Sequence, residues 1–435
     1  MKFISFFILN FNIILSFPII TLPFKRLSKY EIITEENLME NLFYSDLEVN
    51  IEIGTPPKSY PVLIKLQEAG TYIMNIESDI ENIKKYNPKE SYTYLSKSEK
   101  LIPYVKLHCF NAYYIRDTFF FGKERVKGEL FYFLLAKNNT EKIKSSGEIG
   151  LKYFELGLKE EAYFLNQLVN KKLILSSIFT LEFNNSNKNE GNLIFGKYPH
   201  EYNEKVYKKE DFILTYIGTP DITQWIIYIT EVYSDYLLID NKFEIELSYE
   251  FGLIEGSERY YNTIYLKFFN DYLKTEICTK VMINNESSYF YTVCNHKFNY
   301  DNFPDLIFYS EGLNYTFTLT KEDLFMKYGN KIYFLIVFKL LPDKWVFGEI
   351  FFRKYQISFD KEKKIYGLYK RKYNVTENEN SNKISYSHLS IILGILLLFS
   401  IFIIFYLFKI IKSKRKLRAN ELEDQYEYLS PLNQK

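Results

Sequence analysis

The sequence predicts an all-β fold carrying one membrane-crossing helix near its C-terminus. Two observations set this class. Between residues 41 and 370, short runs rich in Tyr, Phe, Ile and Val alternate with Gly, Asn, Pro and Lys. That is the rhythm of many short strands broken by turns. Leu389–Phe408 then reads LSIILGILLLFSIFIIFYLF, 20 residues without a charge. At 1.5 Å per residue such a helix spans ~30 Å, the thickness of bilayer hydrocarbon.

Taken in order, Met1–Ser16 has an early Lys and then an apolar run, which predicts a secretory signal over residues 1–17. An N-terminal segment, 18–40, follows. Strands are predicted at Leu47–Ile53, Ser59–Leu66, Gly128–Ala136, Gly191–Phe195, Gln224–Val232 and Tyr355–Phe359. Lys159–Lys171 differs, because Ala162, Phe164, Leu165 and Leu168 recur at helical spacing. Residues 371–388 are polar and read as a stalk before the span 389–408. Lys409, Lys412, Lys414, Arg415, Lys416 and Arg418 follow the span, which predicts a cytoplasmic tail, 409–435, and a lumenal or extracellular bulk. That places the chain on the secretory or endolysosomal pathway or at the cell surface.

The net charge of +1 gives no reason to expect nucleic acid. Sequons at Asn138, Asn184, Asn285, Asn314 and Asn374 all precede the span and agree with a glycosylated lumenal part. Cys278 and Cys294 are close enough in sequence to close a small loop in an oxidising lumen, leaving Cys109 odd. His108, His200, His296 and His388 are scattered without metal-ligand spacing, so no metal or other cofactor is expected. In the tail, Tyr426–Leu429 has the Y-x-x-Φ form read by sorting adaptors.

An ordered set of motifs then resembles the pepsin-like aspartic proteases, the peptidase A1 family. Ile53-Gly54-Thr55-Pro56-Pro57 resembles its IGTPP turn, and Tyr86-Asn87-Pro88 its F-x-P segment. Gly147–Leu151 resembles DGILGL, Gly191–Gly196 resembles GxLxFGG, and Trp225 opens a segment similar to WxVxxxxIxV. Phe303–Leu306 resembles LPxI, and Trp345–Tyr355 with Phe359-Asp360 resembles WILGDVFLRxYYxxFD. The resemblance implies a bilobal double β-barrel, with lobes over 41–210 and 211–370 and a cleft between them for a peptide or protein. Ile20–Leu27 is similar to the start of the family's basic pro-segment.

In that family each lobe supplies one Asp, and the pair shares a proton to prime a hydrolytic water. Counting from Gly54, the first Asp position falls on Lys65. Counting back from Gly256, the second falls on Ser248. An ammonium has donors and no acceptor, so this register leaves no dyad and no catalytic residue. Burying Lys65 unpaired is costly, and the expected partner is Glu68 or Glu250. A slipped register remains open, in which Glu68 and Glu250 replace the two aspartates in an active endopeptidase. Gly150 and Gly348 match positions where the chain passes closely behind each floor loop, where a side chain would clash.

Overall fold

Alternation decides the first lobe. In Asp46–Ile53 the buried apolar residues Leu47, Val49, Ile51 and Ile53 lie on one face, so a period of two buries one apolar row. In this computed structural model the described residues are 19–369, apart from 97–101, 105–109, 122–127, 138–143, 154–157, 159–161, 185–186, 188, 217–223, 235, 284–287 and 340–343. They belong to one compact unit. The signal 1–17, the stalk, the span 389–408 and the tail with Tyr426 and Leu429 lie outside them, as do Cys109, Asn138, Asn285 and Asn374. Among the described residues no helix is long and apolar enough to cross a membrane.

Two large sheets carry the fold, one of 14 strands and one of 11. The predicted strands are present with ends moved by a residue or two: Asp46–Ile53, Lys58–Lys65, Glu129–Ala136, Glu190–Phe195, Ile226–Ser234 and Ile357–Asp360. The predicted helix runs over Phe164–Asn170. It begins after Tyr163, which instead forms a β-bridge to Gly70.

The sheets do not respect a cut at 210/211. Phe212–Tyr216, Ile357–Asp360 and Ile365–Tyr369 return to the first sheet, the middle one pairing with Ile178–Phe183. The N-terminal segment is also built in. Ile20–Leu27 is an inner strand, paired to Glu190–Phe195 on one side and Asp46–Ile53 on the other. The short helix Leu38–Phe43 buries Leu38, Met39 and Phe43 against Tyr333 and Val337 of the second sheet and Leu253 just before its strand Ile254–Gly256.

Motifs far apart in sequence meet in space. Gly54 N–H donates to the Thr118 carbonyl (2.8 Å), and Asp117 accepts from Tyr86 and from Thr93 Oγ1 (2.6 Å). Trp225 Nε1 donates to the Leu151 carbonyl (3.0 Å), and its ring packs edge-on against Phe359. In the second lobe, Cys278 faces Cys294 across antiparallel strands and the two are joined by a disulfide. The crosslink closes a loop with a sequence separation of 16, so Cys278→Ser with Cys294→Ser is expected to cost about 3 kcal/mol by loop-closure entropy. A urea melt of the oxidised parent beside the double variant measures it.

Candidate functional site at the lobe junction

Each lobe repeats one strand arrangement. Lys58–Lys65 runs parallel to Gly147–Gly150, and Leu237–Leu247 runs parallel to Trp345–Phe347. The later strand of each pair lies antiparallel to a short strand, Tyr72–Met74 or Ile254–Gly256. That short strand is in turn parallel to a fourth, Glu129–Ala136 or Ile336–Lys339.

The registers fix which positions correspond. Leu63 pairs with Glu148 and Lys65 with Gly150. Glu246 pairs with Val346 and Leu247 with Phe347, which brings Ser248 level with Gly348, and Ser248 N–H donates to the Phe347 carbonyl (3.0 Å). Tyr72 faces Glu148, and Glu255 faces Val346. The same number of residues therefore separates Lys65 from Tyr72 and Ser248 from Glu255. Lys65 and Ser248 occupy equivalent places in the two lobes. Gln67 corresponds to Glu250, and Glu68 to Phe251, so the two glutamates of the slipped register are not equivalent to each other.

Both glycines do what their positions require. A Cβ on Gly150 would lie 2.5 Å from the Ala69 carbonyl carbon and 2.6 Å from the Glu68 oxygen. One on Gly348 would lie 1.8 Å from the Leu253 oxygen.

Between the loops the lobes clasp each other through their two corresponding residues. Gln67 Nε2 donates to the Leu247 carbonyl (3.2 Å). In return Glu250 Oε1 accepts from the backbone N–H of Leu66 (2.9 Å) and of Gln67 (3.4 Å). Glu250 Oε2 lies 3.4 Å from Lys65 Nζ, and Asp46 Oδ1 lies 2.8 Å from the same nitrogen. Burial alone would lower the Lys65 pKa, but Glu250, Asp46 and Glu148 outweigh it and hold the ammonium above its usual range. Lys65 is a charged donor here and not a base.

Of the sequence-predicted residues, Lys65 and Glu250 meet directly. Ser248 is buried beside them in sequence, two residues before Glu250. Glu68 is buried too, and its carbonyl accepts from Lys152 N–H (2.8 Å). Sequence reasoning missed Asp46 and Gln67. Asp46 opens a strand and carried no motif, so nothing local marked it. Of the described sequons, Asn314 is exposed in the turn between Leu306–Ser310 and Tyr315–Leu319, and Asn184 is half-buried after Ile178–Phe183. A cavity of about 640 Å³ lined by Tyr153, Tyr163, Asn166, Ser177, Lys361 and Glu362 shares none of its residues with the junction.

Against known proteins, no curated sequence gives a significant match. The family profile described as eukaryotic aspartyl protease matches residues 48–370, which takes in both repeated strand arrangements, both floor loops and both close-approach glycines. With two lobes, one repeated register and that match over most of its length, the chain belongs to the eukaryotic aspartyl protease family.

Proposed function

We propose that this family member does not hydrolyse peptides, and that it acts as a membrane-anchored, glycosylated peptide- or protein-binding module of the secretory pathway or cell surface. The observation that carries the first part is the Lys65–Glu250 pair at the lobe junction. A shared-proton dyad needs two carboxyls at corresponding positions. The corresponding positions hold Lys65 and Ser248, and the nearest carboxylates are engaged with an ammonium and with backbone N–H groups. A dyad of Glu68 and Glu250 has less support, because the repeat relates neither residue to the other and Glu250 spends both oxygens on the clasp.

The anchoring, the sorting contact through Tyr426 and Leu429, and the glycans rest on the sequence pattern. Membrane extraction at alkaline pH, mutation of Tyr426 and Leu429 with imaging, and enzymatic deglycosylation test them separately.

For the chemistry, the full-length chain in detergent is incubated with a denatured protein at acidic pH, with and without an inhibitor bearing a statine-type hydroxyl. The expected result is no cleavage above buffer and no shift in the chain's melting temperature on adding the inhibitor, since that hydroxyl binds the dyad. Cleavage that the inhibitor abolishes, and that Glu250→Gln also removes, would establish the endopeptidase instead.

A further inference from the structure

One pair of buried carboxyls lies outside the clasp. In the first lobe Tyr72 faces Glu148, and in the second Glu255 faces Val346. The repeat makes these the same cross-strand pair, with one glutamate per lobe placed on opposite strands. Both are almost wholly buried, Glu148 being 4% and Glu255 2% exposed.

Among the described residues neither has a cation to itself. Around Glu148 stand Lys65, Glu250, Asp46 and the tyrosines Tyr72 and Tyr249. The single ammonium already serves Asp46 and Glu250, so Glu148 is a third carboxyl around one positive charge. Around Glu255 stand Tyr289, Lys344, Lys339 and Glu246. Lys344 is bound to Glu246 (2.9 Å), and Lys339 sits over the Tyr289 ring. Glu255 Oε2 accepts from the Tyr289 hydroxyl (3.1 Å), while Oε1 is buried without a hydrogen-bond partner among the described residues. An ionised carboxylate in such a place carries a large desolvation cost, and the neutral acid carries little of it.

We propose that Glu148 and Glu255 are proton-binding sites, one in each lobe, through which the folded unit takes up protons and gains stability as its surroundings acidify from neutrality. The direction of both pKa shifts agrees. Burial pushes Glu148 up to about 7 against the pull of Lys65, and burial pushes Glu255 up to about 7 against Lys344. A carboxyl raised in the folded state contributes stability that is fully present below its unfolded value and is lost as pH rises through the folded value. The window is therefore pH 4.5 to about 7.

The two tryptophans, Trp225 and Trp345, are both buried in the lobed unit, so fluorescence of the full-length chain in detergent reports its unfolding. Between pH 7.5 and pH 5.5 the folding constant is expected to rise on the order of tenfold for each group. Glu148→Gln and Glu255→Gln should each remove about one such factor, and the double variant both. In the parent, infrared titration should show protonated buried carboxyls at pH 5.5 that fade toward pH 8. Unaltered pH dependence in the folded variants would overturn the proposal. So would an infrared spectrum of the parent without a protonated buried carboxyl at pH 5.5, a measurement that requires no variant to fold.

Discussion

Gly348→Ala is expected to abolish folding of the second lobe. The added methyl carbon would lie 1.8 Å from the Leu253 carbonyl oxygen and 2.0 Å from that of Phe251. Both are backbone atoms, so no rotamer change relieves the clash. The Phe251 carbonyl is also held in place by the Glu349 N–H (2.9 Å). The backbone at Gly348 is extended, with φ −89°, so alanine would suffer no conformational strain and the whole penalty is steric. Either the floor loop after Ser248 or the strand Trp345–Phe347 must move, and each is paired to the other. A loss above about 5 kcal/mol is expected, comparable with the entire stability of many domains. The control is Gly312→Ala, where no described residue lies within 4 Å of the new Cβ; it should stay within about 0.5 kcal/mol of the parent. Yield of folded protein and the Trp345 emission distinguish the two, and a folded Gly348→Ala chain would contradict the tight packing behind the loop.

That glycine was legible in the sequence because it sits inside a motif. The strands were legible for a similar reason. Period-two burial in Asp46–Ile53 and apolar runs such as Ile226–Ser234 write themselves locally. Less local features were hidden. Ile20–Leu27 contains Pro23 and two basic residues, which argue against an inner strand, yet both its edges are paired, and Arg26 donates from Nη2 to the Asn41 and Leu42 carbonyls and sets Nη1 3.6 Å from Glu349. The clean division at 210/211 fails because Ile357–Tyr369 returns to the first sheet, a long-range pairing that no window of sequence encodes. At the junction, the cost of an unpaired ammonium pointed from Lys65 to a carboxylate, and Glu250 is one. Asp46 and Gln67 gave no such cue. An Asp at the start of a strand is ordinary, and the register that makes Gln67 the counterpart of Glu250 appears only when both lobes are assembled.

Lys65→Ala tests that junction most directly. The Lys65 side chain is 14% exposed and its ammonium holds Asp46 and Glu250, so removing it leaves those carboxylates and Glu148 facing one another with their counter-ion gone. Breaking a fully buried pair from one side costs about 3–5 kcal/mol; with Asp46 33% and Glu250 21% exposed, solvent screens part of that, and a loss of about 2–3 kcal/mol is expected in the unfolding free energy. The companion change Lys65→Met with Glu250→Gln removes both charges at similar volume. It is expected to recover part of the loss, because the desolvation of both ions disappears with them and the glutamine oxygen can still accept the Leu66 N–H, while Asp46, 33% exposed, keeps its charge without the ammonium. Full additivity of the two substitutions in a double-mutant cycle would mean that the charges do not tie the lobes together. The pH dependence has a fixed sign. Lys65 is raised above its ordinary 10.5, so its contribution is complete below that value and is lost only as pH rises through the elevated folded one. Lys65→Asp is expected to destabilise the junction further. It would add another carboxylate to Asp46, Glu148 and Glu250, opposite a serine, and the resulting repulsion would fall on the same contacts that now hold the lobes closed.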